Sequence, residues 1–422
     1  MSERIVVGLD IGTTKVCAVV ASADELDRIN VLGVGVAENE GLSRGVVVNI
    51  DKTVAAVKLA LGEAERMAGV SVRSVIVGIA GDHVQSFQSR GVVTIAHRDG
   101  EISDRDVQRL LEDTTHVAMP VDREILHVIP QEFIVDGQDG VADPVGMSGV
   151  RLEANVHIIT GLVSAAKNIH RCVEKAGYQV ADIVLEPLGS SFAVLHPDEK
   201  EIGVALIDIG GGTTDIAVFE ENTIRHTAVV AVAGNKVTDD IRKGLGVMRD
   251  QAERLKCTYG MALADQASDA EEIAIPGIGG RTEKRIGRST LAQIIQPRLE
   301  EILEIAAIEI KRSGYGRHLG AGVVLTGGGS LIPGTEELAA EVLGMDARIG
   351  VPMGLSGGLV KEVDDPKFAT AVGLVLYGLR PEIIGGTPFR SEMGTRELAS
   401  ASEATRLVSR IAGRMKTWFD EL

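Results

Sequence analysis

The sequence is short of the residues that staple or metallate a fold. Three of its 422 residues are cysteine, one is tryptophan, and aromatics make up 3%. Cys17, Cys172 and Cys257 are odd in number and lack CxxC or metal-ligand spacing, which excludes a disulfide framework and fits reduced thiols. Positive charge is in deficit as well. Lys and Arg total 43 against 60 Asp and Glu, and the net charge of -17 repels phosphate backbones, which argues against nucleic-acid binding by the whole molecule. No stretch approaches the ~18 uncharged apolar residues that a membrane-spanning helix needs, so any membrane contact is expected to be peripheral. The run Ile5-Val6-Val7-Gly8 is too short for a signal peptide and follows Glu3, so a cytoplasmic location is expected. The GxxxxGK[ST] spacing of a P-loop is missing too.

What is present is enough apolar residue, 45%, to build a large core in two or more domains, and a motif used twice. Residues 5–15 read IVVGLDIGTTK and residues 204–215 read VALIDIGGGTTD, each an apolar strand, Asp, Ile, Gly and a Thr pair, then another apolar run. Each reads as a β-hairpin, and a hairpin at the head of each half suggests two similar α/β domains facing each other. Between the copies, apolar spacing predicts helices over 52–68 and 164–176 and strands over 74–79, 156–160 and 180–185. The stretch 83–153 departs from that alternation. It predicts a strand over 91–96, a helix opened by Ser103 with Asp104 and Asp106 in its first turn, and strands within 124–135, and so reads as an inserted subdomain. The second half predicts helices over 234–245, 249–259 and 291–312 and a strand over 322–326. From 381 to about 402 the text is Gly, Pro, Ser and charge without period, as in a tether.

The chemistry gathers at the glycine turns. In Asp10-Ile11-Gly12-Thr13-Thr14-Lys15, small residues let backbone N–H groups approach an anion, the Thr hydroxyls add donors, and Lys15 can reach a phosphate. Alone, that text also fits an ordinary turn. With the second copy, Gly210, Gly211, Gly212, Thr213 and Thr214, the two hairpins can clamp a polyphosphate from both sides, while Asp10 and Asp208 orient the water shell of a Mg²⁺ ion. Three successive glycines cost folding entropy that a mere turn does not require. A third strand and glycine turn, Leu325-Thr326-Gly327-Gly328-Gly329-Ser330, suits the close approach of backbone to a base or ribose. Glu253 and Lys256, three apart on a predicted helix, either meet ribose hydroxyls and the adenine edge or form a solvated ion pair.

Hairpin one, a helix opening Glu186-Pro187-Leu188-Gly189-Ser190-Ser191, hairpin two, the LTGGGSLIPG turn and a final apolar helix over 368–379 follow the order found in the actin, heat-shock chaperone and sugar kinase superfamily. The resemblance covers 4–380. The insert, the text Gly41-Leu42-Ser43-Arg44-Gly45 with Ser89-Arg90-Gly91-Val92-Val93, and a tether leading to a terminal amphipathic segment narrow it, so that the chain resembles the FtsA family of bacterial cell-division proteins. That resemblance implies an actin-like two-domain ATPase fold of duplicated mixed sheets with an inserted subdomain 1C and a C-terminal amphipathic helix. It divides the chain into 1A (1–82, 161–200 and a return helix at 361–380), 1C (83–160), 2A (201–235 and 316–360), 2B (236–315), a tether (381–403) and a terminal helix (404–422).

The resemblance further implies bound ATP and Mg, with nucleotide contacts extending to Gly234 and Asn235. It implies slow hydrolysis at most, with Glu186 orienting the water beside Asp10 and Asp208. The implied partners are the C-terminal peptide of FtsZ, further copies of the chain in head-to-tail filaments, and later division proteins on 1C. Family use of 2B points to the basic stretch with Arg281, Lys284 and Arg285, and to Arg298 with Glu301 on the long helix, where Arg298 is expected to begin an exposed face. A solvated basic loop is the plainer reading. In 404–422, Leu407, Val408, Ile411, Met415, Trp418 and Phe419 fall on one helical arc and Arg406, Arg410 and Arg414 on the other side, the pattern of a helix lying on anionic lipid at the cytoplasmic face of the cell membrane. Two alternatives share the fold: a pilus-assembly actin homologue that binds a membrane-protein peptide, and a small-molecule kinase.

Overall fold

The computed structural model describes residues 4–96, 100–268, 270, 272–275 and 282–379. The expected tether and terminal helix, with Arg281, lie outside the described residues.

In the first half, β1 (Arg4–Ile11), β2 (Lys15–Ala23) and β3 (Ile29–Glu38) form an antiparallel meander. α1 (Ile50–Ala68) follows, started by the Asn49 side chain, which accepts the Lys52 N–H, and stopped by Gly69 in the left-handed region. Its apolar stripe, Ala56, Val57, Ala60, Leu61 and Ala64, is buried against the sheet. β4 (Ser74–Ile79) then pairs parallel to β1.

The insert is a four-stranded antiparallel sheet built from β5 (Gln85–Thr94), β6 (Arg123–Val135), β7 (Gln138–Val141) and β8 (Arg151–Leu162), in the order β5-β8-β6-β7. It carries one helix, α2 (Asp104–Thr114), whose Ser103 N–H bonds the Asp106 carboxylate at 3.1 Å. The strand predicted over 91–96 is β5 and begins at Gln85, because its ladder with β8 starts at the pair Gln85 and Thr160. The polar residues between 85 and 90 hide that start from any hydrophobic pattern.

α3 (Val163–Ala176), β9 (Gln179–Leu185) and α4 (Glu186–Val194) complete the first half, with β9 parallel to β4. The second half repeats the plan. β10 (Val204–Ile209), β11 (Thr214–Glu220) and β12 (Thr223–Val230) form the meander. Helices α5 (Gly234–Leu245), α6 (Arg249–Tyr259) and α7 (Arg288–Arg312) come next, then β13 (Val323–Thr326) parallel to β10 and β14 (Ala347–Ile349) parallel to β13. The orders β3-β2-β1-β4-β9 and β12-β11-β10-β13-β14 are one topology used twice. α8 (Ala369–Leu379) returns to the first half and buries every residue except Gly378.

One apolar core joins the halves, with Val19 and Leu188 from the first, Leu206 and Val324 from the second, and Leu374 from α8. Separate cores fill the outer side of each half and the insert. Among the described residues, no helix is long and apolar enough to cross a membrane.

Candidate functional site

The duplicated plan sets the two glycine hairpins tip to tip. In the β1–β2 hairpin Ile11 pairs with Val16 and Asp10 with Cys17, while in the β10–β11 hairpin Ile209 pairs with Thr214 and Asp208 with Asp215. The tips are in contact. A Cβ on Gly211 would lie 2.5 Å from Thr14 Cγ2, and one on Gly212 would lie 2.3 Å from Thr13 Oγ1. Only glycine admits this approach. The third turn comes from the end of β13, where Gly327 has φ 81 and a Cβ would sit 2.2 Å from Asp208 Oδ1.

Between the turns lies a cavity of about 90 Å³, lined by Gly12 to Lys15, Gly210 to Thr213, Gly327, Gly328, Pro366, Lys367 and Thr370, with four carboxylates, Asp10, Glu186, Asp208 and Asp215. Glu186 opens α4 with Pro187 in its first turn, a start that proline tolerates because its missing N–H is not needed there. Ser190, one turn further on, donates to Asp208 Oδ2 at 2.7 Å, and Thr370 from α8 donates to the same oxygen at 3.4 Å. Thr213 donates to Asp215 Oδ2 at 3.0 Å, but Asp215 Oδ1 is buried without a hydrogen-bond partner. Lys15 Nζ lies 3.6 Å from Asp10 Oδ2 and also donates to the Lys367 carbonyl.

Four buried acids outnumber their cations, and their proton affinities follow. Burial pushes Asp208 up to about 6 against the bond from Ser190, with the Asp10 charge adding to the rise. Burial also lifts Glu186 well above the carboxylate range, and Asp10, Asp215 and Asp208 add to it. Asp215 is lifted by burial and by Asp208, its cross-strand partner. For Asp10, burial outweighs the attraction of Lys15. Lys15 itself is held above its ordinary range, because Cys17, Asp10 and Asp208 together outweigh the burial that opposes its charge.

An orphaned carboxylate oxygen in a crowded acid cluster fits a divalent cation. Among the described residues no group of three or more acidic, His or Cys side chains is placed to hold a metal ion by itself. The acids therefore suit an ion that keeps water and phosphate oxygens in its shell, as Mg²⁺ does.

The other residues singled out in the sequence are placed as follows. Thr214 turns its hydroxyl away from the cavity, to the Val232 carbonyl at 2.8 Å. Gly329 backs onto Ile209. Gly234 and Asn235 tie the head of α5 to hairpin two through N–H bonds of 3.1 Å and 2.8 Å to the Gly210 and Gly211 carbonyls. Glu253 and Lys256 pair at 2.8 Å, outside the cavity lining, and both meet Thr238 of α5. The ion pair of the second reading is present but only partly solvated.

Arg298 does not begin an exposed face: it lies inside α7, held by Asp240 at 2.6 Å and by Glu301 one turn on. Arg285 is exposed and engages Glu272 at 3.1 Å, beside exposed Lys284. Sequence reasoning assigned no role to Asp215, Ser190, Thr370 or Lys367. Asp215 was within reach, because drawing the hairpin register puts it directly opposite Asp208. Ser190 enters the site from α4, Lys367 from the segment before α8 and Thr370 from α8 itself, and no local pattern announces them.

Comparison with known proteins identifies the family and the fold. The family model described as cell division protein FtsA matches residues 205–373, and that of the SHS2 domain inserted in FtsA matches residues 81–160. The cell division protein FtsA of Pseudomonas aeruginosa is 46% identical over 384 residues, 91% of this chain and 91% of that protein. FtsA of Borreliella burgdorferi is 40% identical over 420 residues, 99% of each chain. FtsA of Escherichia coli is 38% identical over 390 residues, 91% of this chain and 92% of its own. Among solved structures, the PilM-PilN type IV pilus biogenesis complex aligns with TM-score 0.64 at 16% identity, over 89% of this chain and 98% of that one. MreB5 of Spiroplasma citri bound to ADP aligns with TM-score 0.53 at 15% identity, over 91% of this chain and 99% of its own. The fold is therefore actin-like.

Proposed function

The chain belongs to the FtsA family of cell-division proteins, and from that premise we propose that it is an ATP-binding adaptor that ties FtsZ filaments to the cytoplasmic face of the cell membrane. One observation carries the nucleotide part of this reading: two glycine turns face each other across four buried carboxylates and Lys15. Backbone N–H groups of 12–14 and 211–213 and the Lys15 ammonium suit phosphate oxygens. Asp10, Asp208 and Asp215 suit the water shell of a magnesium ion, which neutralises phosphate charge and relieves the mutual repulsion of the acids. Glu186, at the head of α4 in the cavity lining, would orient a water beside Asp10 and Asp208, and in this reading hydrolysis is slow at most. The adenosine would extend toward Gly327, Gly328 and Gly329 and the head of α5, where Gly234, Asn235, Glu253 and Lys256 stand.

For the FtsZ C-terminal peptide, exposed Lys284 and Arg285 suit an acidic partner, Arg285 by exchanging its ion pair with Glu272, while Arg298 is the least exposed of the three and is held by Asp240 and Glu301. Self-association and later division proteins on the insert complete the reading, as does anionic lipid under 404–422. A rim of basic residues contributes chiefly to encounter rate and salt sensitivity. The basic segment at the C-terminus does not support the pilus-type alternative.

Co-sedimentation of the full chain with vesicles rich in anionic lipid, with Mg-ATP and the FtsZ peptide present, tests the adaptor reading. The chain and peptide should pellet together, and Trp418, the one tryptophan, should shift its emission to the blue. A chain truncated after Ser402 should stay in the supernatant while still binding ATP. Equal pelleting of both chains would end the membrane assignment.

A further inference from the structure

The insert touches both walls of the cleft. On the first-half side, His127 on β6 accepts the Leu185 N–H at 3.0 Å, immediately before Glu186. The chain also joins the insert to the first half at both of its ends, so the two move together. On the other side the insert reaches β12, the edge strand of the second-half sheet. There the polar contacts are made by side chains. Ser86 Oγ donates to the Thr227 carbonyl at 3.1 Å, Gln88 Nε2 to the Arg225 carbonyl at 3.2 Å, and Gln131 Nε2 to the Ile224 carbonyl at 2.7 Å. The His157 ring nitrogen Nε2 lies 3.1 Å from Thr227 Oγ1.

These donors cap an edge that would otherwise present bare carbonyls. Among the described residues no strand pairing joins the two sheets, so the contact can part without unravelling either one. Beside these donors, Ile224 of β12 belongs to the apolar core that joins the halves, together with Ile129 and Ile159 of the insert, so the seam combines side-chain hydrogen bonds with apolar contact.

β12 is mechanically close to the cleft. It pairs with β11 at Val229 opposite Asp215 and Val230 opposite Thr214, and Thr214 is bonded to the Val232 carbonyl just beyond it. The hairpin tips touch, and the insert bridges the two halves that carry them, so under the nucleotide reading parting of the halves would widen the way into the cleft.

We propose that the insert is a latch on the cleft: Ser86, Gln88, Gln131 and His157 clip the edge strand 223–230 and so hold the two halves together, and their release speeds nucleotide exchange. The exchange part rests on the nucleotide reading above. The test uses the full chain with Cys257→Ser and spin labels at Val92→Cys on the insert and Met248→Cys on the second half, both exposed. Gln131→Glu sets a carboxylate against the Ile224 carbonyl and, combined with Gln88→Ala, removes two of the clips.

This variant should lengthen or broaden the distance distribution between the labels. It should also raise the dissociation rate of a fluorescent ATP analogue about tenfold, the effect of one to two net hydrogen bonds. Should the charged variant melt early, Gln88→Ala with Gln131→Ala removes the same donors without adding charge. An unchanged distance together with an unchanged dissociation rate in a folded variant overturns the latch. A parent chain that binds no analogue overturns the nucleotide reading and the exchange role with it, while the distance arm still decides whether these contacts hold the halves together.

Discussion

Hairpin one turns through Gly12-Thr13-Thr14 and ends in Lys15, whereas hairpin two turns through Gly210-Gly211-Gly212-Thr213-Thr214 and ends in Asp215. The ladder registers set Lys15 level with Thr213 and Cys17 level with Asp215, so the two copies carry their charges at different positions. In the first, Asp10 has Lys15 at 3.6 Å and faces Cys17 across the ladder, so the hairpin is close to neutral. In the second, Asp208 faces Asp215; the hydroxyls of Ser190 and Thr370 and the Lys15 charge of hairpin one relieve Asp208, and the Thr213 hydroxyl relieves Asp215. The two copies share a scaffold, and Lys15 in the first and Asp215 in the second make its charge asymmetric. Under the nucleotide reading, hairpin one is the anion-binding side and hairpin two is the side that demands a cation.

The largest expected break in this comparison comes from the glycines that only hairpin two has. Gly212→Val would drive a side chain into Thr13 and hold the tips apart. We expect Mg-ATP affinity to fall by ~100-fold or more, about 2.7 kcal/mol, and titration calorimetry on the folded variant would show it. Affinity like the parent's would mean that the tips do not form the phosphate site.

Next comes the charge asymmetry itself. Asp215→Asn removes the cross-strand repulsion and gives the orphaned position a donor, so the nucleotide-free protein should gain about 1–2 kcal/mol of stability while ATP binding loses most of its dependence on magnesium. Denaturant unfolding and magnesium titration check the two halves of that expectation.

The same repulsion predicts a pH trend. An acid whose folded-state affinity for protons is raised, as for Asp208 at about 6, binds more protons folded than unfolded between the ordinary carboxylate range near ~4 and that value. Stability from this cluster is therefore fully present below the unfolded range and falls as pH rises through about 6. Melting without ligand should occur at a higher temperature at pH 5.5 than at pH 7.5, by several degrees. Asp215→Asn and saturating Mg-ATP should each flatten the difference. A parent protein that melts at the same temperature at both pH values would show that the acids are already compensated.

The smallest effect separates the paired threonines. Thr14 lines the cavity, and Thr214 is bonded to Val232. Thr14→Val should weaken ATP severalfold and leave stability alone, whereas Thr214→Val should cost ~1 kcal/mol of stability and leave affinity alone. The reverse pattern would exchange their roles.

Much of this was legible in the sequence because it is local. A strand that ends in Asp-Ile-Gly and resumes after a Thr pair has few conformations open to it, and both copies formed the hairpins their text predicts. The helices predicted over 234–245 and 249–259 formed over those spans, since capping and apolar period are read within a few residues. β5 was shortened by sequence reasoning because its first residues are polar and held by pairing with β8, a partner more than sixty residues away. Arg298 reads as a free cation on a helix surface until α5 brings Asp240 against it.

By itself, then, the sequence determined the hairpins, the duplicated halves, the position of the insert and the family. Each of these rests on short-range pattern or on composition. The tertiary structure alone decided that four acids share one cavity with Lys15, that Ser190 and Thr370 restrain Asp208, that Glu253 and Lys256 spend their charge on each other, and that the insert grips the far half at an edge strand. The physical reason is common to all four. Burial, proton affinity and hydrogen-bond satisfaction belong to the surroundings of a group, and those surroundings come from segments remote in the chain, which only packing brings together.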